Sequence, residues 1–287
     1  MYFVQIFING LLTGGIYALV SIGFSMVWGV MGILNISHGS FIMLGAYTTF
    51  WLFHYFRLDP FFSIPVSMAA LFALGAFLQK GIINHVARAP VLTTAILTWG
   101  IDLLFVNLAI LLWSPNYRSV VVSYRADTLA TYGLVIPLVK VYIFAAAVIL
   151  TLALYLFISR TKIGKAIRAT RMDTHGARIT GVHIGRIYII TYGLAAAMAG
   201  AAGSVLSVIY TVSPFMGERY LFNSFVICAL GGYGNVAGAL IGGIVFGEAQ
   251  AFGSALVGSG YSLAISFVVL LFTLMVRPYG IFGKEYY

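Results

Sequence analysis

The sequence predicts an all-α polytopic membrane protein with eight or nine transmembrane segments, two of them interrupted by glycine, and an internal repeat. Three observations carry this. Of 287 residues, 61% are hydrophobic and 8% charged, with a mean hydropathy of +1.01. Apolar runs recur at the length of about 20 residues that a helix needs to cross a hydrocarbon core of about 30 Å. Glycine-rich breaks fall in corresponding places of the two halves, Gly32 to Gly39 and Ala229 to Gly238. Irregular backbone survives at membrane depth only where it is buried or lines a cavity, so paired breaks point to a pathway between repeats. Plain surface turns are the competing account of both.

The elements follow in order. No Lys, Arg, Asp or Glu precedes Arg57, and 56 helical residues would extend about 84 Å, so this stretch folds back on itself. The turn chemistry available is Gly29 to Gly39, where Asn35, Ser37 and His38 can satisfy freed backbone groups. Spans are placed at 4–29, 37–56, 61–80, 91–113, 134–158 and 187–212, then a short segment at 220–231, a Gly-rich run at 236–257 and a last span at 261–276. The number is eight or nine because the 12 residues of 220–231 cover only about 18 Å.

Charge gives the topology. Seven of the sixteen basic residues (Arg160, Lys162, Lys165, Arg168, Arg171, Arg178 and Arg186) lie in 160–186 with one acid, Asp173, which makes this island cytoplasmic. Lys80 and Arg88 around His85 mark a second cytoplasmic loop. The 114–133 connection sets Arg118 and Arg125 against Asp127, too weak a bias for the inside, and parity puts it outside. The N-terminus is then outside, and Arg277 and Lys284 are inside. The start MYFVQIF has no basic n-region and no small-residue cleavage site follows a short apolar run, so it reads as a retained span. A net charge of +9 is accounted for by these loops, and no aromatic-interleaved basic face suggests nucleic acid.

Polar residues inside spans are the candidate site. Thr94, Thr98 and Asp102 fall at i, i+4 and i+8, on one helical face, with Asp102 about 16 Å into its span. A carboxylate there costs at least about 2.5–3.5 kcal/mol on insertion scales, so it should face the bundle interior or a wet cavity. Gln5, Asn9, Thr13 and Tyr17 form a similar stripe on the first span, and Glu248 is buried by position. Each has two readings, lining a pathway or hydrogen bonding between helices. Asn35 and His38 stand at the first break; His38 reads as a helix cap rather than a proton carrier, since no second His or Cys stands at ligand spacing. Gly238 and Gly242, Gly243 and Gly247, and the series Gly193, Ala197 and Ala201 allow close helix approach, either within the chain or to a second subunit.

Several classes are excluded. The run Lys162-Ile-Gly-Lys165-Ala lacks the leading glycine and the hydroxyl of a phosphate-binding P-loop, so the chain binds no ATP by that route. It carries no H-E-x-x-H, no Cys cluster and no credible Ser/His/Asp set, which leaves an enzyme reading without chemistry. Cys228 is alone in an apolar run, a packed thiol.

The motifs Asn9-Gly10, Gly14, Tyr17-Ala18-Leu19, Gly23, Trp28-Gly29, Asn35-Ile-Ser-His38-Gly39 and Gly45-Ala46-Tyr47 resemble the opening of the membrane permease subunit of branched-chain amino acid ABC importers. The likeness continues through Ile163-Gly164-Lys-Ala-Ile-Arg168-Ala169, Asp173, Ala177 and Gly181-Val182, then Leu230-Gly231-Gly232 with Gly234 and Gly238. It ends at Arg277-Pro278-Tyr-Gly280-Ile-Phe-Gly283, so it covers nearly the whole chain. The resemblance implies a single transmembrane permease domain over residues 1–287 in a bacterial inner membrane, with a cytoplasmic coupling loop at 160–186. It implies a second, homologous permease subunit, two cytosolic ATPases carrying ATP and magnesium, a periplasmic binding protein, and no cofactor or metal in this chain. It also implies that the segment from Arg168 to Gly181 holds a coupling helix. Small Ala169 and Ala177 would seat it in an ATPase groove, while Arg168, Arg171 and Arg178 meet acidic or polar rims beside Asp173.

Three places depart from the family pattern. His175 stands where an acid is usual, and Gly176 replaces an alanine, which costs about 1 kcal/mol of helix propensity. Ser40 replaces a frequent Glu, and Asp102 occupies a position that is usually small or hydroxylated. Import of leucine, isoleucine or valine by alternating access is the leading reading. Urea or short amides are the alternative within the family, and an ion-coupled secondary transporter using Asp102 or Glu248 is the alternative outside it. A non-transporting scaffold would leave the broken spans and intramembrane carboxylates unmotivated.

Overall fold

A computed structural model describes residues 1–282 except Arg88, Tyr132 and Tyr279. Arg88 of the second basic loop, and Tyr279, Gly283 and Lys284 near the C-terminus, lie outside the described residues. Eleven α-helices follow in order among the described residues: α1 (Tyr2–Met31), α2 (His38–Phe56), α3 (Pro60–Gly81), α4 (Val91–Trp113), α5 (Leu138–Arg160), α6 (Lys162–Met172), α7 (Thr174–Ile179), α8 (Ile184–Ile209), α9 (Met216–Gly231), α10 (Val236–Leu256) and α11 (Ser262–Val276). Between α4 and α5 lies a small antiparallel hairpin, β1 (Thr128–Thr131) and β2 (Leu134–Pro137), with Thr128 opposite Pro137 and Thr131 opposite Leu134.

Among the described residues six helices are long and apolar enough to cross a bilayer: α1, α3, α4, α5, α8 and α10. An all-α polytopic membrane protein fits this. α9 and α11 are shorter, with 16 and 15 residues, and α2 is diluted by His38, Tyr47, Thr48, Thr49, His54 and Tyr55.

α8 lies three residues earlier than the expected 187–212, and two other boundaries differ by four residues. Residues 134–137 are strand rather than the start of a span: Leu-Val-Ile-Pro is apolar enough to extend the α5 window, but Pro137 lacks the N–H a helix interior needs, and the hairpin register is set with Gly133 at φ 77°. The short segment begins at Met216, not 220, because Glu218 and Arg219 depress its hydropathy although they lie on the first turn of the helix.

Small residues set the packing. α8 runs through the centre, buried along α2 and α3, with Gly193, Ala197 and Ala201 part of its helix. The α10 motifs face inward within this chain. A Cβ on Gly247 would lie 2.5 Å from Gly14 Cα of α1, and one on Gly242 would lie 2.8 Å from the Ile227 carbonyl of α9. These contacts answer the question the motifs left open, since both spacings are consumed internally. Cys228 is fully buried on α9.

Contacts sort the connections into two ends. At one, Gln5 exchanges two 2.9 Å hydrogen bonds with the Val135 backbone, Arg118 bridges to Val212, Arg125 donates to the Ile209 carbonyl, and Tyr124 donates to Asp59 at 2.8 Å. Burial, reinforced by Asp59, pushes the Tyr124 hydroxyl well above the ordinary tyrosine range. At the other end, α6 meets the α9–α10 connection through Arg171.

Candidate functional site

The first break builds the site. α1 stops at Met31 because Gly32 turns left-handed (φ 65°) and its N–H caps the Trp28 carbonyl at 2.9 Å. Residues 32–37 are not helical, yet Ile33, Asn35 and Ser37 are buried, so their backbone needs partners from neighbouring helices. α4 supplies them. The Thr98 hydroxyl donates to the Leu34 carbonyl at 2.9 Å and accepts the Ile36 amide at 3.0 Å. The Asn35 side-chain oxygen accepts from Ser37 (2.7 Å) and from the buried Tyr192 hydroxyl of α8 (2.9 Å).

His38 is not the cap expected from the sequence. It is the first residue of α2, and its Nε2 donates across to the Val20 carbonyl of α1 at 2.8 Å. Val20 lies about 16 Å from the Met31 end of α1, so α2 begins beside the middle of α1 rather than at its end. The imidazole can reach α1 because Gly23 leaves space there: a Cβ at Gly23 would lie 3.0 Å from His38 Cε1.

The N-terminal ends of α2 and α9 cross at Gly39 and Gly217, where a Cβ on Gly39 would lie 2.7 Å from the Gly217 carbonyl. Beside this crossing opens a cavity of about 320 Å³. Ser40, Asp102 and Glu218 supply its side-chain polar groups, and Trp99, Leu103, Val106, Phe215, Leu221 and Phe222 its apolar wall. Ser40 donates to the Asp102 carboxylate, so α2 and α4 are joined at this cavity by one side-chain hydrogen bond.

Of the predicted residues only Asp102 lines this cavity; Asn35, His38 and Thr98 hold the break beside it, and the rest lie elsewhere. Thr94 bonds back to the Val91 carbonyl of its own helix. On the α1 stripe, Gln5 is tied to the β2 backbone and Tyr17 donates to Gln250 of α10 at 2.7 Å, while Asn9 and Thr13 are half-buried. Glu248 packs over Gly10, both carboxylate oxygens buried without a partner. Sequence reasoning passed over Glu218 and Tyr192. The Glu218-Arg219 pair opening an apolar segment was a usable signal for the first; nothing local marked the second.

In the basic segment, Asp173 breaks the chain between α6 and α7 and caps α7, accepting the His175 amide at 2.8 Å. Arg168 and Arg178 are exposed, as are Asp173 and Gly181. Ala177 is buried against the chain itself and Ala169 is half-buried. Arg171 turns inward and donates to the carbonyls of Gly234 (2.5 Å) and Tyr233 (2.8 Å). A cleft of about 1170 Å³ beside α7 is lined by Lys80, His85, Arg178, His183 and Arg186 with no acidic side chain among its lining residues.

Residues 6–274 match the family described as the permease component of the branched-chain amino acid transport system. The chain belongs to this family. The permease is 29% identical to the high-affinity branched-chain amino acid transport system permease protein BraD of Pseudomonas aeruginosa, over 99% of this chain and 96% of the relative. It is 30% identical to the corresponding LivH protein of Salmonella typhimurium with the same coverage. LivM of Escherichia coli is 28% identical over 80% of the permease and 59% of its own length. No solved structure matches.

Proposed function

We propose that this chain is the membrane subunit of an ABC importer that carries branched-chain amino acids into the cytoplasm by alternating access. The observation that carries the reading is the cavity at the α2–α9 crossing: one polar corner of Ser40, Asp102 and Glu218 in an otherwise apolar and aromatic wall suits a small solute with a charged head and an aliphatic side chain. Named relatives matched along nearly their full length support the same substrate class. The match to both LivH and LivM supports a second, homologous permease subunit. Asp102 lines the pathway, and Asn35, His38 and Thr98 hold the break that places Ile36 and Gly39 in its wall.

In this reading the domain spans 1–287 in a bacterial inner membrane, N-terminus outside and C-terminus in the cytoplasm. α2, α9 and α11 join the six long helices as further crossings, and the breaks at 32–37 and 232–235 are the corresponding points of an internal repeat. Two ATPases, which hold the ATP and magnesium, dock on the exposed face of 160–186 through Arg168 and Arg178, and a periplasmic binding protein delivers the solute. The test is ATP-dependent leucine uptake by proteoliposomes holding the permease with its ATPases and binding protein. Replacing Arg168 and Arg178 by Glu should abolish ATPase co-purification and uptake while leaving membrane insertion intact; unchanged co-purification and uptake would refute the docking assignment.

One observation favours a different class. The unpartnered carboxylate of Glu248 is the kind of group that couples ions in secondary transporters. Uptake by the isolated chain under a proton gradient, lost in Glu248→Gln, would establish that reading instead.

A further inference from the structure

We infer that Arg171 is a positioning residue for the transport step, joining the cytoplasmic segment to the end of α9 so that movement of α6 reaches the Asp102 cavity. The inference rests on the reading of 160–186 as the ATPase contact and assigns a different task to one arginine within it.

The geometry separates Arg171 from its neighbours. Arg168 and Arg178 are exposed, whereas the Arg171 guanidinium forks onto two successive carbonyls, Tyr233 and Gly234. A planar fork holds two acceptors in one fixed orientation, which a lysine ammonium does not. The acceptor side is equally constrained. Gly234 is left-handed (φ 71°), its N–H donates to Ser25 Oγ of α1 at 3.1 Å, and a Cβ there would lie 2.7 Å from Gly29 Cα and 2.9 Å from Arg171 Nε. Only glycine admits both the α1 backbone and the guanidinium. One residue therefore ties α6, α1 and the α9–α10 connection together.

From this tie α9 runs back about 24 Å to Met216. Gly217, Glu218, Leu221 and Phe222 on its far turns line the cavity, so the helix reaches from the cytoplasmic tie to the candidate solute site. A cavity of about 130 Å³ flanks the tie, lined by Met26, Tyr155, Ile167 and Asn235, and gives the guanidinium room to shift. Displacing α6 pulls on the carbonyls at 233–234 and tilts α9 about its crossing with α2 at Gly39 and Gly217. Small sliding shifts of packed helices are a known way for a local change to be carried across a bundle. The competing account is that Arg171 merely satisfies carbonyls beyond the α9 C-terminus.

The experiment uses the complete importer in proteoliposomes, with ATP hydrolysis and leucine uptake measured on the same preparation. Arg171→Ala should retain bound ATPases and hydrolysis while uptake falls, raising ATP consumed per leucine by about tenfold. Arg171→Lys should lie between Arg171→Ala and wild type. A second readout covers failure of Arg171→Ala to fold. In Arg171→Lys carrying Leu221→Cys, the change in maleimide labelling on adding ATP should shrink relative to Leu221→Cys alone; native Cys228 is buried. Loss of ATPase binding together with uptake would make Arg171 a docking residue and overturn the inference. Unchanged ATP per leucine, or an unchanged labelling response, would also overturn it. Absence of ATP-dependent uptake in the wild-type importer would overturn the proposed function, and this inference with it.

Discussion

Thr98→Val tests whether α4 holds the non-helical segment between α1 and α2. The substitution keeps the branched shape and deletes the hydroxyl, removing the acceptor for the Ile36 amide and the donor to the Leu34 carbonyl at a fully buried position. An unmet buried backbone group costs about 1–3 kcal/mol in soluble proteins. Interhelical hydrogen bonds within a bilayer average about 0.6 and reach about 1.7 kcal/mol, because the membrane-inserted reference state finds partners of its own. Two such bonds therefore contribute about 1–3 kcal/mol here. At about 2–4 °C per kcal/mol for a large domain, the melting midpoint should fall by about 5 °C. Thr98→Ser, which keeps the hydroxyl, should lose less than half as much. The assay is thermal unfolding of monodisperse protein in detergent, with leucine uptake by the reconstituted importer alongside. If Thr98→Val melts within a degree of wild type, the 32–37 backbone is satisfied elsewhere and the pinning argument is wrong.

Asp102→Leu should reduce uptake far more than expression, because the carboxylate faces a cavity; parallel loss of both would indicate a packing role. Gly247→Ala should destabilise by about 1–3 kcal/mol because its Cβ meets α1 backbone, whereas Gly193→Ala meets the movable Phe72 ring and should cost less; equal melting of the two variants would refute this. Tyr124→Phe removes the hydrogen bond to Asp59 at the hairpin end of the bundle, a loss of about 1 kcal/mol. Since the folded-state hydroxyl ionises above the ordinary range, that bond contributes fully below about pH 10, where the unfolded tyrosine begins to ionise, and is lost as pH rises further. Melting curves of both proteins between pH 7 and 11 should stay offset at first and then converge; an offset that disappears below pH 9 would contradict the assignment.

Helix limits were legible because the bilayer imposes a length and a polarity on each span, so α3 and α4 appear within a residue of their expected ends. The α5 boundary was not, since Leu-Val-Ile-Pro satisfies an apolar window as strand or helix and only pairing with residues 128–131 decides between them. Asp102 was legible as an expensive charge. Its partner Ser40 lies 62 positions away, and no local pattern announces such a pairing. The same distance effect hid the task of Arg171, which shares its segment and charge with Arg168 and differs only in what stands opposite, and the cross-helix reach of His38 to Val20.

The solitary thiol of Cys228 has a practical meaning. Sealed on α9 next to the glycine-rich connection, it reacts with a fluorogenic maleimide only when that part of the bundle comes apart. The unmodified protein thus carries its own unfolding sensor, and a thiol engineered anywhere on the surface can be read against a dark background.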